Sequence, residues 1–391
     1  MLSVTPMKKL YPAALLLAVV ASSAYAQDET HSDEKHLNQK VLLGQQLYFD
    51  ANLSKNGTQS CATCHAPNAG FADPRGQGVA AAVSLGDDGH SLGDRSAPTA
   101  SYAAFTPVFH RNKAGNYAGG QFWDGRVNTL AEQAMGPPTN PIEMGMPNSA
   151  AVVARIMANS HYVEQFKGIY GDAIFSQPEA AYTAMADAIQ AFEKTELFSP
   201  FDSKYDRFLR GEYEFTPQEE LGHTLFFSQQ FTNCNQCHQL RDAPGRKQET
   251  FSNYEYHNIG VPENTALRAL NGASGPDLGL WQHPAIDDPQ QKGKFKTPTL
   301  RNVAVTGPYM HNGVFKDLRT VVLFYNKYNS KSAKRQINPE TGATWAAPEV
   351  AENLSIDTLE MGPALNDKRI DALVAFLKTL TDKRYEHLLE Q

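Results

Sequence analysis

The pattern Cys-x-x-Cys-His occurs twice, as "CATCH" at 61–65 and "CNQCH" at 234–238, and the two copies use all four cysteines of the chain. Four cysteines in an exported protein would ordinarily pair as two disulfides. A zinc site also uses Cys-x-x-Cys, but it does not require histidine as the next residue in both copies. Cys-x-x-Cys-His is the attachment signal of c-type haem: both thiols add to the vinyl groups and the histidine ligates iron from one face. The spacing therefore predicts two covalent haems. One is held by Cys61, Cys64 and His65, the other by Cys234, Cys237 and His238.

An export signal at the N-terminus strengthens the haem reading. Lys8 and Lys9 precede an apolar run from Leu10 to Ala21, and Ala24-Tyr25-Ala26 forms a small-residue cleavage site. The run is shorter than the ~20 apolar residues of a membrane span, so residues 1–26 are expected to be a signal peptide cleaved after Ala26. No second hydrophobic run follows, so the mature chain is expected in the periplasm without a membrane span. The formal charge of the chain is −7, and losing the two leader lysines makes it more negative. Such a surface does not suit nucleic acid or anionic lipid, and leaves protein partners open.

At 391 residues the chain is too long for one core. Residues 27–200 and 201–391 are expected to form two domains of one plan. "LGQQLYF" at 43–49 precedes the first motif and "LGHTLFF" at 221–227 the second, and "FWDGR" at 122–126 is echoed by "YMHNG" at 309–313. The regular elements are helical. Apolar steps of three and four predict helices over 148–168 and 178–197. Thr216-Pro217-Gln218-Glu219 is a capping box, and Asn366 can cap a last helix carrying Ile370, Leu373 and Leu377. Thr129 opens a short helix that carries Gln133. The polar stretch 330–356 reads as a surface loop. The expected fold is mainly α: two c-type cytochrome-like haem domains related by duplication, with long loops.

In order and at compatible spacing, the chain also carries "DRSAPT" at 94–99, "QFWDGR" at 121–126, "EQAMGP" at 132–137, "PIEM" at 141–144 and "FKTPTLRNVAVTGPYMHNG" at 295–313. With the two haem motifs these resemble the bacterial di-haem cytochrome c peroxidases, and within them the MauG-like branch. The resemblance implies a peroxidatic N-terminal haem and a six-coordinate C-terminal haem. It implies Tyr325 as the second axial ligand of the latter, where other members use methionine; Met310 and Met361 are the fallback ligands. A phenolate favours high-valent iron, whereas a thioether raises the potential. It further implies Trp123 between the haems, Gln133 and Pro137 on the distal side of the first, and Glu143 as the acid–base that moves a proton between the oxygens of peroxide.

Two departures bear on these expectations. Ser96 stands where an asparagine commonly helps bind calcium, so calcium at the Thr306 and Pro308 carbonyls rests on a weaker donor. His90 lies two residues out of register with a removable distal histidine. Arg126 and Arg301 are candidate partners for haem propionates, and His257 and His311 for ordering the second pocket. The expected function is a peroxidase that uses hydrogen peroxide to oxidise a partner protein through high-valent haem. The alternatives are peroxide detoxification with electrons from a small cytochrome or copper protein, and a plain di-haem electron carrier.

Overall fold

The computed structural model describes residues 34–76, 78–240 and 248–390. The expected leader lies outside them. Among the described residues no helix is long and apolar enough to cross a membrane.

The N-terminal half holds α1 (34–49), α2 (Cys61–Cys64), α3 (Leu130–Ala134), α4 (Ser149–Met157), α5 (Ser160–Tyr170) and α6 (Pro178–Glu193). The C-terminal half holds α7 (Lys204–Leu209), α8 (Pro217–Phe227), α9 (Thr265–Asn271), α10 (Leu318–Asn329), α11 (Ile356–Leu359) and α12 (Asp367–Lys378). Among the described residues, strand is confined to two antiparallel ladders of two residues each: β1 (His110–Arg111) with β2 (Tyr117–Ala118), and β3 (Tyr256–His257) with β4 (Phe295–Lys296). The mainly α expectation is met.

Local chemistry explains most helix ends. The Thr216 hydroxyl accepts the Glu219 amide and the Glu219 carboxylate accepts the Thr216 amide at 2.8 Å, with Pro217 in the first turn. This satisfies donors that a helix start leaves orphaned. Asn366 caps α12 by accepting the Arg369 amide at 3.0 Å. The single helix expected over 148–168 is instead two, because Asn159 accepts the His161 amide at 3.0 Å and starts α5 afresh. Helix α6 stops at Glu193, short of 197, where the Thr195 hydroxyl donates to the Phe192 carbonyl at 2.8 Å.

One apolar core gathers Leu43, Leu47, Val152, Ile156, Phe166, Met185 and Phe192. A second gathers Tyr205, Leu225, Phe226, Phe251, Leu373, Phe376 and Leu380. Each is organised by a close helix crossing. A Cβ added to Gly44 on α1 would lie 1.8 Å from the Ala188 oxygen of α6, and one on Gly222 of α8 would lie 1.9 Å from the Ala372 oxygen of α12. Only glycine lets the backbones approach so closely.

The duplication extends past the helices. An isolated bridge joins Gln121 to Val127, and its counterpart joins Tyr309 to Phe315. Phe122 and Met310, at matching places in these turns, both hold positive φ (63° and 71°). The shift that superposes these turns carries the first residue of α3, Leu130, onto that of α10, Leu318. The same shift carries Pro137 onto Tyr325.

Long-range polar contacts lock the halves together. The Tyr102 hydroxyl donates to Asp382 at 2.5 Å, the Tyr385 hydroxyl to the Pro67 carbonyl at 2.8 Å, and Arg95 pairs with Asp277 at 2.6 Å. Two expectations need correction. The stretch 330–356 is more than a surface loop: Trp345 packs edge-on against Phe315 and Phe324, Val350 is buried, and Glu349 faces a cleft described below. Arg301 is fully buried in the second core, paired with both Asp206 oxygens (2.5 and 2.9 Å) and the Glu249 carbonyl, and lines no cleft.

Candidate functional site

Each Cys-x-x-Cys-His motif lies in the wall of its own cleft. Helix α2 begins after Ser60, whose amide donates to the Thr63 hydroxyl at 2.9 Å. Its turn places Cys61, Cys64 and His65 in the first cleft. A short 3-10 turn from Cys234 does the same for Cys234, Cys237 and His238 in the second. No disulfide joins any of the four cysteines, which removes the two-disulfide reading.

Both imidazoles are held alike. His65 Nδ1 lies 3.3 Å from the Phe71 carbonyl oxygen, and His238 Nδ1 lies 3.1 Å from that of Phe251. A ring nitrogen facing a carbonyl must carry the proton, which leaves Nε2 with its lone pair for a metal. Burial holds both rings in the neutral form, with His238 pushed down to about 4. Cysteine pairs without a disulfide, followed by an oriented, neutral imidazole, fit a c-type haem in each cleft.

Helix α3 and the loop after it also line the first cleft. Thr129 caps α3 by accepting the Glu132 amide at 3.1 Å, and the Tyr182 hydroxyl of α6 donates to the Met135 carbonyl at 2.6 Å. Gln133 is thereby fixed at the cleft. A 3-10 turn over Pro137–Thr139 follows, and its first carbonyl accepts the Met144 amide at 3.2 Å. The turn brings Pro137 and Glu143 to the same cleft. The Glu143 carbonyl accepts the Asp87 amide at 2.7 Å, which ties this segment to the loop that carries His90. Glu143 is half-buried, and burial raises its carboxyl pKa, opposed by Arg126 and Asn140. His90 is exposed, turns back to the Asp88 carbonyl at 3.0 Å, and does not line the cleft.

In the second cleft Tyr325 faces the space that His238 borders. The rotation of α10 is set by its neighbours in sequence. Asn326 accepts the Leu365 amide at 2.7 Å, and the Tyr328 hydroxyl donates to the Ile259 carbonyl at 2.9 Å. Burial, then the nearby Cys237 and Cys234 thiols, push the Tyr325 phenol well up. Met310 and Met361 also reach this cleft, Met361 from its half-exposed mouth. His257 and His311 line it as expected, with His311 stacked on Phe295 at 3.6 Å.

Trp123 lines both clefts. Its indole nitrogen donates to the Ser96 carbonyl at 2.8 Å, and its own carbonyl accepts the Lys296 amide at 3.0 Å. The ring is thus pinned from both halves. Ser96, Thr306 and Pro308 all border the first cleft. The Ser96 carbonyl already accepts the Trp123 indole, so the expected calcium site would draw on the Ser96 hydroxyl and the Thr306 and Pro308 carbonyls.

Sequence reasoning missed two groups. Lys296 borders both clefts beside Trp123. Glu193 on α6 lines the first cleft, buried, with Oε2 lacking a hydrogen-bond partner, and burial pushes its carboxyl up to about 8.

Comparison with known proteins places these features in a family. Residues 38–214 match the family described as "Di-haem cytochrome c peroxidase". The methylamine utilization protein MauG of Paracoccus denitrificans is 52% identical over 377 residues, covering 96% of each chain. The cytochrome c peroxidase Ccp of Escherichia coli is 36% identical over 291 residues, covering 74% of this chain and 53% of that one. Among solved structures, the diheme peroxidase BthA of Burkholderia thailandensis superposes with a TM-score of 0.78 at 34% identity, over 88% of this chain and 86% of that one. A MauG-like protein associated with microbial copper homeostasis gives 0.65 at 30% identity, over 88% and 90%.

Proposed function

This chain belongs to the di-haem cytochrome c peroxidases, on their MauG-like branch, and on that footing we propose that it is a periplasmic peroxidase that spends the oxidising power of hydrogen peroxide on a partner protein. The observation that carries the reading is the inequality of two equivalent positions. Tyr325 offers a phenol oxygen in the cleft that His238 also lines, while Pro137, its counterpart in the first cleft, offers no ligating atom. One site is then closed by two protein ligands and the other keeps a face for peroxide.

The haems, when bound, supply the iron at which peroxide is split and which holds the two oxidising equivalents. The chain supplies the rest. The Glu143 carboxylate takes the proton from the inner oxygen of peroxide and returns it to the outer one, a transfer favoured by its raised pKa. The Gln133 amide orients the same face by hydrogen bonding. Pro137 keeps that face free of side-chain ligands. Trp123, in both walls, relays an electron between the sites. The four attachment cysteines and the ligand pairing His238–Tyr325 belong to this proposal. So does export by residues 1–26. Calcium at Ser96, Thr306 and Pro308 has no comparable support and enters no step.

The relative named cytochrome c peroxidase in Escherichia coli keeps a second reading in view, peroxide removal with electrons from a small cytochrome or copper protein. One experiment separates them. Peroxide is added to the resting protein together with whatever co-purifies, and the partner is read by mass spectrometry. Oxidised Trp or Tyr on the partner is the expected result. An unmodified partner, with peroxide consumed only when a reduced small cytochrome is present, would transfer the assignment to detoxification. Two low-spin haems indifferent to peroxide would leave only an electron carrier.

A further inference from the structure

The two clefts meet at a wall, and that wall contains one unexplained charge. Lys296 ends the short strand β4 and is half-buried. Its amide is fixed by the Trp123 carbonyl at 3.0 Å. Its ammonium donates to the Gly120 carbonyl. The nearest carboxylate felt by the ammonium, Asp124, is already committed to Arg95 at 2.7 Å and Arg126 at 2.9 Å. An ammonium held this way lacks a counter-ion of its own, and burial pushes it down to about 7.

The surroundings specify what would satisfy it. Among the described residues, Lys296 is the one lysine or arginine lining the second cleft, whose acidic side chains are Asp277 and Glu349. The first cleft has Arg95 and Arg126 as well. Each haem carries two propionate carboxylates, and buried carboxylates require paired, hydrogen-bonded cations. Resting on the two-haem reading above, we propose that Lys296 is a cation shared by the two haem sites: it receives a propionate carboxylate in the C-terminal cleft, and from the common wall it holds up the reduction potential of both irons. The residue is a positioning and tuning group, since nothing places it at the reacting atoms.

The test is spectroelectrochemical titration of the purified holoprotein after mass spectrometry has counted its haems. A chain without two haems would fail the parent reading, and the inference would then have no object. With two haems present, Lys296→Met is expected to lower both midpoints. Each should fall by at least threefold in the one-electron equilibrium, about 28 mV at about 59 mV per tenfold. Lys296→Arg should restore at least half of the fall, because it keeps the charge. Arg126→Gln, which borders only the first cleft, should move the N-terminal midpoint alone. If Lys296→Met folds poorly, Lys296→Gln carries the same comparison. A midpoint that stays at the wild-type value for either haem would overturn the proposal. So would an Arg variant no better than Met, which would assign the effect to packing.

Discussion

The glycine at the α8–α12 crossing gives the sharpest test of how the second half is held. An added Cβ on Gly222 would sit 1.9 Å from the Ala372 oxygen and 2.7 Å from Phe376 Cβ. The nearest atom is helix backbone, which cannot rotate away. The helices would have to part by roughly 1 Å, a gap that forfeits a quarter to a half of the attraction of each contact across it. Those contacts include Leu225, Phe226, Leu373 and Phe376, the centre of the second core. Overpacking of this kind costs about 1–3 kcal/mol. Against it, replacing a helical glycine by alanine returns up to about 1 kcal/mol of propensity. Because the blocking atom is backbone, the cost lies at the top of that range, so Gly222→Ala should lose about 2 kcal/mol net, or roughly 4–8 °C in the thermal midpoint of a unit this size. Gly168 in α5 is the control: nothing lies within 4 Å of its added Cβ, so Gly168→Ala should gain up to about 1 kcal/mol. Thermal unfolding followed by circular dichroism reads both. Leu373 and Leu377 of α12 also border the second cleft, so the C-terminal haem spectrum should change in Gly222→Ala while the N-terminal one does not. A Gly222→Ala protein as stable as wild type would refute the claim that the crossing demands glycine.

Three further outcomes are expected. Tyr325→Phe should convert the C-terminal haem from low to high spin in the resting electronic spectrum; an unaltered spectrum would exclude this ligand and turn attention to Met310 or Met361. Glu143→Gln should slow peroxide consumption about a hundredfold. Because burial raises the carboxyl, the wild-type rate should fall on acidification at a pH above the ordinary carboxylate value, and that limb should vanish in the variant. Glu193 is raised from 4.5 to about 8, so the folded state binds the extra proton. Wild-type stability should then decline as pH rises from about 4.5 to about 8, and Glu193→Gln should flatten that slope in pH-dependent melting; parallel slopes would mean that the carboxyl finds a partner in the holoprotein.

What was legible in the sequence was what is written locally. The haem motifs need five consecutive residues. The Thr216 and Asn366 caps need four, and each appeared at the expected place. Leu318, Val321, Val322 and Tyr325 recur at helical spacing and share one face of α10. What was not legible depends on partners far along the chain. Arg301 looked like a propionate cation until Asp206, from α7, was found to occupy it. The 330–356 stretch is rich in polar residues and shows no helical or strand period, yet Trp345 and Val350 dock it and make Glu349 part of a cleft wall. Lys296 sits in "FKTPT" with no periodicity to mark it. Its place between two clefts arises only when β4 pairs with β3 and meets the Trp123 loop.

Because Pro137 and Tyr325 occupy the same seat in two copies of one scaffold, the division of labour need not be distributed through hundreds of residues. On the reading proposed above, a single ring at one turn would decide which copy is stoppered and which is left ajar. Lineages descended from such a doubling could trade roles between the copies, or abolish the distinction, by altering a codon in either half while every helix stayed where it was.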